Sequence, residues 1–600
     1  MTVLRKDVAV QDRWNVEALY PTLEAFTQAL QEVNFDEIKQ YRGRLSESSD
    51  TLLKALDAYF KTERALSKLY TYAHLRHDED IAENSTKQAY EIISSLYHQF
   101  SQDTAWLSPE LLHMPEEKFS KLLTDPKLKT YHFFLEKLYR LKAHTLPIEQ
   151  EELLALADQA LDTSPKAFSA LNNADFHFGK IKDEQGNERD LTHASFGMYM
   201  RDRDRTLRKN AFQAMHGKYF EFRNSITELL GGQVQNHLFA ARARKYSGCL
   251  ESALYPRNVD LDVYHSLIKA VHNNIDALHS YVKLRKKLLG LDELHFYDLY
   301  VPLVPAYDMK MSYEEAENIV VEAVKPLGKE YVDALHNGLK TDRWVDRYEN
   351  KNKRSGAYSS GCYDSMPYIL MNFKGILRDV FTLMHEAGHS MHSYYSRKHQ
   401  PYHYSNYTIF VAEVASTFNE ELLTKTLLKR ATSVQEKAFL INEKIEDIRT
   451  TLFRQVMFCE FELFIHEAAE KRIPITPDLL SEEFTRLNRF YFGETIVMDP
   501  EIAIEWARIP HFYYNFYVFQ YATGISAALA LANGVLNGGD KEREAYLQFL
   551  RSGCSDYPLE LLKKAGVDMK SVKPVECAIG EFRSLVAELE TLLTEAEVAN

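Results

Sequence analysis

The stretch DTLLKALDAYFKTERALSKLYTYA, residues 50–73, decides the class of fold. Its apolar residues Leu52, Leu56, Tyr59, Leu66, Leu69 and Ala73 recur in steps of three, four and seven, which follow one face of a helix and not the alternation of a strand. Asp50 stands ahead of them as an N-cap. The same spacing runs through residues 90–100, 135–141 and 153–161, joined by short connections carrying Ser, Asp or Pro. No fixed period links these segments, which argues against a solenoid.

Composition agrees with a mainly α fold. Glycine (23) and proline (18) together make about 7% of 600 residues, where average usage gives roughly 12%, so turn-forming residues are scarce. The length is about four times the roughly 150 residues of one domain, which predicts two or more lobes. Hydrophobic residues at 45% and charged residues at 26% are ordinary for a globular protein. A net charge of −14 without blocks of like charge speaks against a nucleic-acid partner, which phosphate neutralisation would require to be basic. Five scattered cysteines without a Cys-x-x-Cys pair suit a reducing compartment. The first twenty residues lack an apolar signal core, and no apolar run reaches the roughly 20 residues of a membrane span. A cytoplasmic protein with no membrane partner is expected, and the apolar segment 525–535 reads as a buried helix.

The helical pattern breaks at two places. FHFGKIKDEQGNERDLTHASF, residues 176–196, sets two short alternating runs around a turn-rich centre at 183–187, a hairpin. A boundary near 195 then divides an N-terminal helical lobe, 1–195, from a second domain, 196–600. Just beyond it, the alternating charges of Arg201 to Arg205 read as a solvated helix face. The second break is SGAYSSGCYDSMPYILMNF, residues 355–373, whose apolar end from Tyr368 to Phe373 suits a strand in a small sheet.

That sheet immediately precedes the strongest motif, FTLMHEAGHSMH, residues 381–392. His385 and His389 are one helical turn apart and can reach a single ion; Glu386 between them can face the open coordination position. Chance would supply this pattern about 0.06 times in a chain of this composition. The motif makes residues 196–600 a zinc-dependent catalytic domain with one Zn2+ per chain, zinc being inferred from the ligand types. Gly388 costs about 1 kcal/mol inside a helix relative to alanine, which suggests close approach of another backbone. A metzincin site would need glycine at 392 and histidine at 395; the chain has His392 and Tyr395. His392 is a packing or outer-shell histidine. The third ligand is sought among Glu413, Glu420 and Glu421 of VAEVASTFNEELL, residues 411–423. Glu413, flanked by Val411, Ala412, Val414 and Ala415, is the first choice, because a charge embedded in apolar surroundings needs a cation. Glu420 is either an outer-shell orienter of a ligand imidazole or a surface carboxylate. Downstream, RIPHFYYNFYVFQYATG, residues 508–524, holds His511 and places Tyr514, Tyr517 and Tyr521 on one helical face, either a core stripe or a set of oxyanion donors.

These segments together resemble the oligoendopeptidase F branch of the thimet oligopeptidase (M3) metallopeptidase family, over about residues 115–585. The marks are SGAYSSG, PYILMNFKG, HEAGHSMH, EVAS at Glu413, and PHFYYNFYVFQYATG. The resemblance implies a two-lobed helical metallopeptidase with a deep central channel, a small sheet beside the HExxH helix, and hydrolysis of internal bonds in short unstructured peptides. It puts His385, His389 and Glu413 on the zinc ligands and Glu386 on the general base. His511, Tyr514 and Tyr521 fall on the residues that meet the scissile carbonyl. One departure stands out: the thimet branch proper has a glycine pair in that loop, and this chain has none. The substrate is expected to meet Gly356, Tyr358, Tyr368 and Tyr517, lying extended along the edge of the Tyr368–Phe373 strand. The rivals are a helical peptide-binding protein in which zinc is structural or absent, and a metallocarboxypeptidase on a related helical scaffold.

Overall fold

The computed structural model describes residues 3–305 and 309–599. Helices account for 71% of it. Five short strands complete it: β1 (Lys180–Lys182), β2 (Glu188–Asp190), β3 (Val345–Asp346), β4 (Tyr358–Ser360) and β5 (Tyr368–Leu370). No helix among the described residues is long and apolar enough to cross a membrane.

The chain forms two compact units, and each is assembled from segments distant in sequence. The first takes residues 1–148, 308–426 and 531–567; the second takes 149–307, 427–530 and 568–600. The expected boundary at 195 falls inside the second unit. The hairpin that suggested it is tied to residues on the far side of that point: Asn210 Nδ2 donates to Lys182 O at 2.8 Å, and Glu184 N to Asp204 at 2.7 Å. A break in secondary structure is therefore not a break in packing here.

In the first unit the decisive stretch lies in the helix Ser49–Glu79, paired with the helix Asn84–Thr104. Leu52, Leu56, Leu66, Leu69 and Ala73 are all buried, and each such leucine contributes about 1.5–3 kcal/mol by leaving water. The cap is Ser48 and not Asp50: its extended backbone lets Oγ accept from Thr51 N at 3.1 Å. Asp50 instead pairs with Lys127 at 2.7 Å. The small sheet has the order β3-β5-β4, β5 being parallel to β3 and antiparallel to β4. Buried Lys353 fastens it, pairing with Asp346 at 2.6 Å and donating to Met371 O at 2.6 Å. Arg5 meets the same carboxylate at 2.6 Å, which ties the N-terminal segment to the sheet. Arg5 also meets Glu79 at 2.8 Å, so the two cations face two carboxylates.

In the second unit the hairpin pairs as expected, Ile181 opposite Arg189, with Gly186 supplying the positive φ of +84° that its turn needs. The alternating charges of 201–205 are a turn and not a helix face. Asp204 accepts from Leu207 N at 3.0 Å and caps the helix Arg205–Glu221, while Arg205 pairs with the buried carboxylate of Asp298 at 2.9 Å.

Candidate metal centre and active site

Two helices of the first unit carry the metal motif. The motif helix is Leu377–His399, and the glutamate helix is Ile409–Arg430. Asp379 accepts from Lys374 N at 2.7 Å and Ile376 N at 3.3 Å and so starts the motif helix. Leu383, Met384, Ala387 and Met391 are buried, leaving His385 and His389 together on a partly open face.

Gly388 is what lets the second helix reach that face. A Cβ there would stand 2.7 Å from Ala415 O and 2.7 Å from Ser416 Cα, both backbone atoms, so the glycine admits the other helix at close range as its sequence context suggested. Glu413 is thereby brought to the histidines. The two imidazole Nε2 atoms are 3.2 Å apart, and Glu413 Oε2 lies 3.3 Å from one and 3.6 Å from the other. Tetrahedral bonds of about 2.0–2.1 Å would set ligand atoms roughly 3.3 Å apart, so the three donors fit a zinc ion. Among the described residues this is the group of His, Cys, Asp and Glu whose donor atoms converge in this way.

The supporting contacts also favour a cation. Glu420 Oε1 lies 3.2 Å from His385 Nδ1 and orients the ring, as a carboxylate behind a ligand histidine does. Burial works against a charged His385, but the Glu413 and Glu420 carboxylates outweigh it and push the imidazole up to about 10. The histidines hold Glu413 well below the usual carboxylate range. Ser416 Oγ donates to Glu413 Oε2 at 3.0 Å, a contact foreshadowed in sequence only by its position three residues on along the same helix. Tyr407 donates to His389 O at 3.3 Å, and nothing in the sequence marked it.

One expectation about this centre is corrected, and the reading of His392 is narrowed to packing. Glu413 is not embedded: its side chain is 55% exposed, because the glutamate helix turns Val411, Val414 and Ala415 inward and Glu413 outward. His392 makes no hydrogen bond to a ligand residue. It is buried and stacks on Tyr407 at 3.7 Å between ring centroids, and burial pushes its pKa down to about 3. Glu386 is buried, which raises its pKa against the opposing pull of His385 and His389.

The expected substrate strand also changes. β5 is the central strand, hydrogen-bonded on both sides, so it has no free edge. Tyr368 is fully buried and donates to Asn15 O at 3.0 Å, which removes it as a substrate contact. β3 and β4 hold the outer positions, and β4 packs beside the motif helix, where Ser359 Oγ meets Ser390 Oγ at 2.8 Å. The Tyr358 ring turns inward and its hydroxyl donates to Asp78 at 2.8 Å. Gly356, with φ of +87°, precedes the strand in an exposed turn, and its carbonyl accepts from Asn372 at 2.8 Å.

In the second unit, Tyr514, Tyr517 and Tyr521 do not share a helical face. A short 3-10 turn, Pro510–Tyr513, is followed by Asn515 and Phe516 at φ of 45° and 57°, and the helix begins only at Phe519. The turn is held from outside its own sequence: Phe516 N donates to Glu462 at 2.6 Å, and Gln233 donates to Tyr513 O at 3.2 Å. The result still gathers the group around His511. Tyr521 OH lies 3.3 Å from His511 Nε2, and the Tyr514 and Tyr517 rings stand 5.7 and 6.2 Å from the imidazole. Tyr514 is 55% exposed, and burial lowers the His511 pKa.

With this geometry in place, comparison with known proteins is decisive. The sequence profile described as peptidase family M3 matches residues 198–581, and that described as oligopeptidase F matches 110–178. The chain belongs to peptidase family M3. Oligopeptidase PepF of Bacillus subtilis is 44% identical over 99% of this chain and 89% of its own length. Group B oligopeptidase PepB of Streptococcus agalactiae is 39% identical over 98% of each. The crystal structure of oligoendopeptidase-F from Enterococcus faecium is 35% identical, covers 95% of this chain and 98% of its own, and superposes with a TM-score of 0.72. The M3 member described here is thus a mainly α metallo-endopeptidase of the oligoendopeptidase F group.

Proposed function

We propose that the chain hydrolyses internal peptide bonds of short, unstructured oligopeptides, using one zinc ion held by His385, His389 and Glu413, with Glu386 as general base. The observation that carries this reading is the convergence of His385 Nε2, His389 Nε2 and Glu413 Oε2 at separations of 3.2, 3.3 and 3.6 Å. Zinc bound there would supply Lewis acidity, polarising a scissile carbonyl and easing deprotonation of a water. Glu386 accepts the proton of the attacking water and returns it to the departing amine nitrogen. Glu420 keeps His385 in the tautomer that offers Nε2. His511 and Tyr521, with Tyr514 beside them, supply N–H and O–H donors for the developing oxyanion.

The substrate adds as a strand to the outer edge of β4, from Gly356 to Ser360, through main-chain hydrogen bonds. Such pairing tolerates many side chains and needs an extended segment, which a short peptide offers and a folded protein does not. Five cysteines scattered along the chain, with no Cys-x-x-Cys pair, suit a reducing cytoplasmic setting. A mixed set of peptides about 5 to 25 residues long, incubated with zinc-loaded protein and analysed by mass, tests the reading. Internal cuts that vanish on chelation support it. Removal of single C-terminal residues would point to a carboxypeptidase, and no cleavage by protein holding one zinc would point to a peptide-binding role.

A further inference from the structure

Two pairs of polar residues, each spaced four apart, lie on neighbouring helices of the second unit and take no part in the peptidase chemistry. Gln233 and His237 stand one turn apart on the helix Arg223–Ala243, and Glu462 and His466 one turn apart on the helix Arg454–Glu470. The two helices pack together, and His237, Glu462 and His466 are buried. The four side chains form one hydrogen-bonded chain. Gln233 Nε2 donates to Tyr513 O at 3.2 Å and to His237 Nε2 at 3.0 Å. His237 Nδ1 meets His466 Nε2 at 3.0 Å, and His466 Nδ1 donates to Glu462 O at 2.7 Å. Glu462 Oε1 ends the path by accepting from Phe516 N at 2.6 Å.

The protons of this chain have a single arrangement. A backbone carbonyl only accepts, so His466 carries its proton on Nδ1 and presents Nε2 as an acceptor. His237 then donates from Nδ1, which leaves its Nε2 to accept from Gln233. Gln233 Oε1 accepts from Asn236 at 3.4 Å, which sets the amide the same way round. A further proton on either ring would turn N–H against N–H. Burial excludes it, pushing His237 down to about 3 and His466 down to about 4. Both ends of the chain grip one turn, because Tyr513 O and Phe516 N bracket Tyr514 and Asn515. The positive φ of Phe516, 57°, is strained for a residue of its size and persists only where its surroundings over-determine it. The Phe516 ring is seated 4.5 Å from the His466 ring, while Tyr514 projects from the same turn, exposed, beside His511.

We propose that Gln233, His237, His466 and Glu462 are positioning residues for peptide hydrolysis: they lock the 513–516 turn and so hold Tyr514 in place beside His511. The proposal rests on the peptidase reading of the His511–Tyr521 segment and extends it to four residues inside the fold. The histidines act at one remove, His237 by fixing which way the Gln233 amide faces and His466 by fixing the tautomer of His237.

The test measures kcat, KM and zinc per chain of the full-length protein on one short peptide, together with amide hydrogen exchange across residues 511–517. Gln233→Met keeps the length of the side chain and removes both N–H donors. It should lower kcat by about ten- to a hundredfold, with zinc retained and exchange at 511–517 faster. His237→Leu should act in the same direction without touching the turn itself. His237→Gln again offers one acceptor and one donor and should exceed the leucine variant in kcat by about threefold or more, whereas a residue that only fills space would favour leucine. Combined with Tyr514→Phe, Gln233→Met should cost less than it does alone, because the clamp works through that tyrosine. A parental kcat in Gln233→Met overturns the proposal. So does a glutamine variant at 237 no better than the leucine one, or full additivity with Tyr514→Phe. Failure of the peptidase reading looks different, since the parent itself would then cleave nothing. The exchange measurement still decides the clamp in that case: faster exchange in Gln233→Met and His237→Leu but not in His237→Gln supports it, and unchanged exchange overturns it.

Discussion

The motif and glutamate helices of the first unit and the His511–Tyr521 segment of the second were both marked by sequence, yet they are built by different means. In the first, helical period alone sets the geometry: a spacing of four aligns His385 with His389, and Gly388 admits Ala415 and Ser416. In the second, the backbone leaves the helix at Asn515 and Phe516, and partners far along the chain, Glu462 and Gln233, hold it there. A site made of regular structure can be read from spacing. A site made of an irregular turn depends on contacts that spacing does not encode.

The largest effect should come from removing a ligand of the regular site. His389→Ala is expected to abolish both zinc retention and turnover, measured as zinc per chain and peptide cleavage; full activity with one zinc retained would place the metal elsewhere. Next, Tyr521→Phe removes a hydroxyl from the irregular site while keeping its ring. It should lower kcat by about 10²–10³, the usual cost of one oxyanion donor, with zinc content unchanged. A kcat equal to the parent's would return that segment to a packing role.

Gly388→Ala probes how tightly the helix pair depends on close approach. Its Cβ meets backbone at 2.7 Å, and overpacking of this kind costs about 1–3 kcal/mol, so lower thermal stability and weaker zinc affinity are expected together. Unchanged values for both would mean that the helices part without consequence.

The effect furthest from turnover is a pH slope in the support of the irregular turn. Burial pushes the Glu462 carboxyl from 4.5 up to about 8, so it stays uncharged in the fold at neutral pH. A raised carboxyl pKa contributes stability that is full below about pH 4.5 and is lost as pH climbs toward 8. Glu462→Gln keeps an acceptor for Phe516 N and removes the titration. Its melting temperature should therefore fall less than the parent's between about pH 5 and 8. Identical slopes would contradict a protonated Glu462.

The same contrast explains what was legible in the sequence. The helices, the hairpin at 180–190 and the alignment of His385 with His389 all rest on local periodicity or on short offsets along a helix, whereas Glu413 reaches them from a second helix. The order of the small sheet does not. Strands of two or three residues carry no sign of which lies between the others, so the apolar run of β5 reads as an edge although β3 and β4 are the outer strands. The exposure of Glu413 is hidden in the sequence because its apolar neighbours face the other side of the helix. Asp204 resembles part of a charged helix face because a cap and a face use the same residue types. The two interleaved units escape a linear reading because their segments are joined by long-range packing.

The proposed chemistry turns on Glu386 working as the base beside a metal held by three other residues. The Glu386→Gln protein tests this with zinc content and peptide turnover measured on the same preparation. One zinc per chain and a kcat lower by about 10²–10⁴ or more are predicted. One zinc per chain with most of the parental kcat would contradict the assignment of Glu386 as the base.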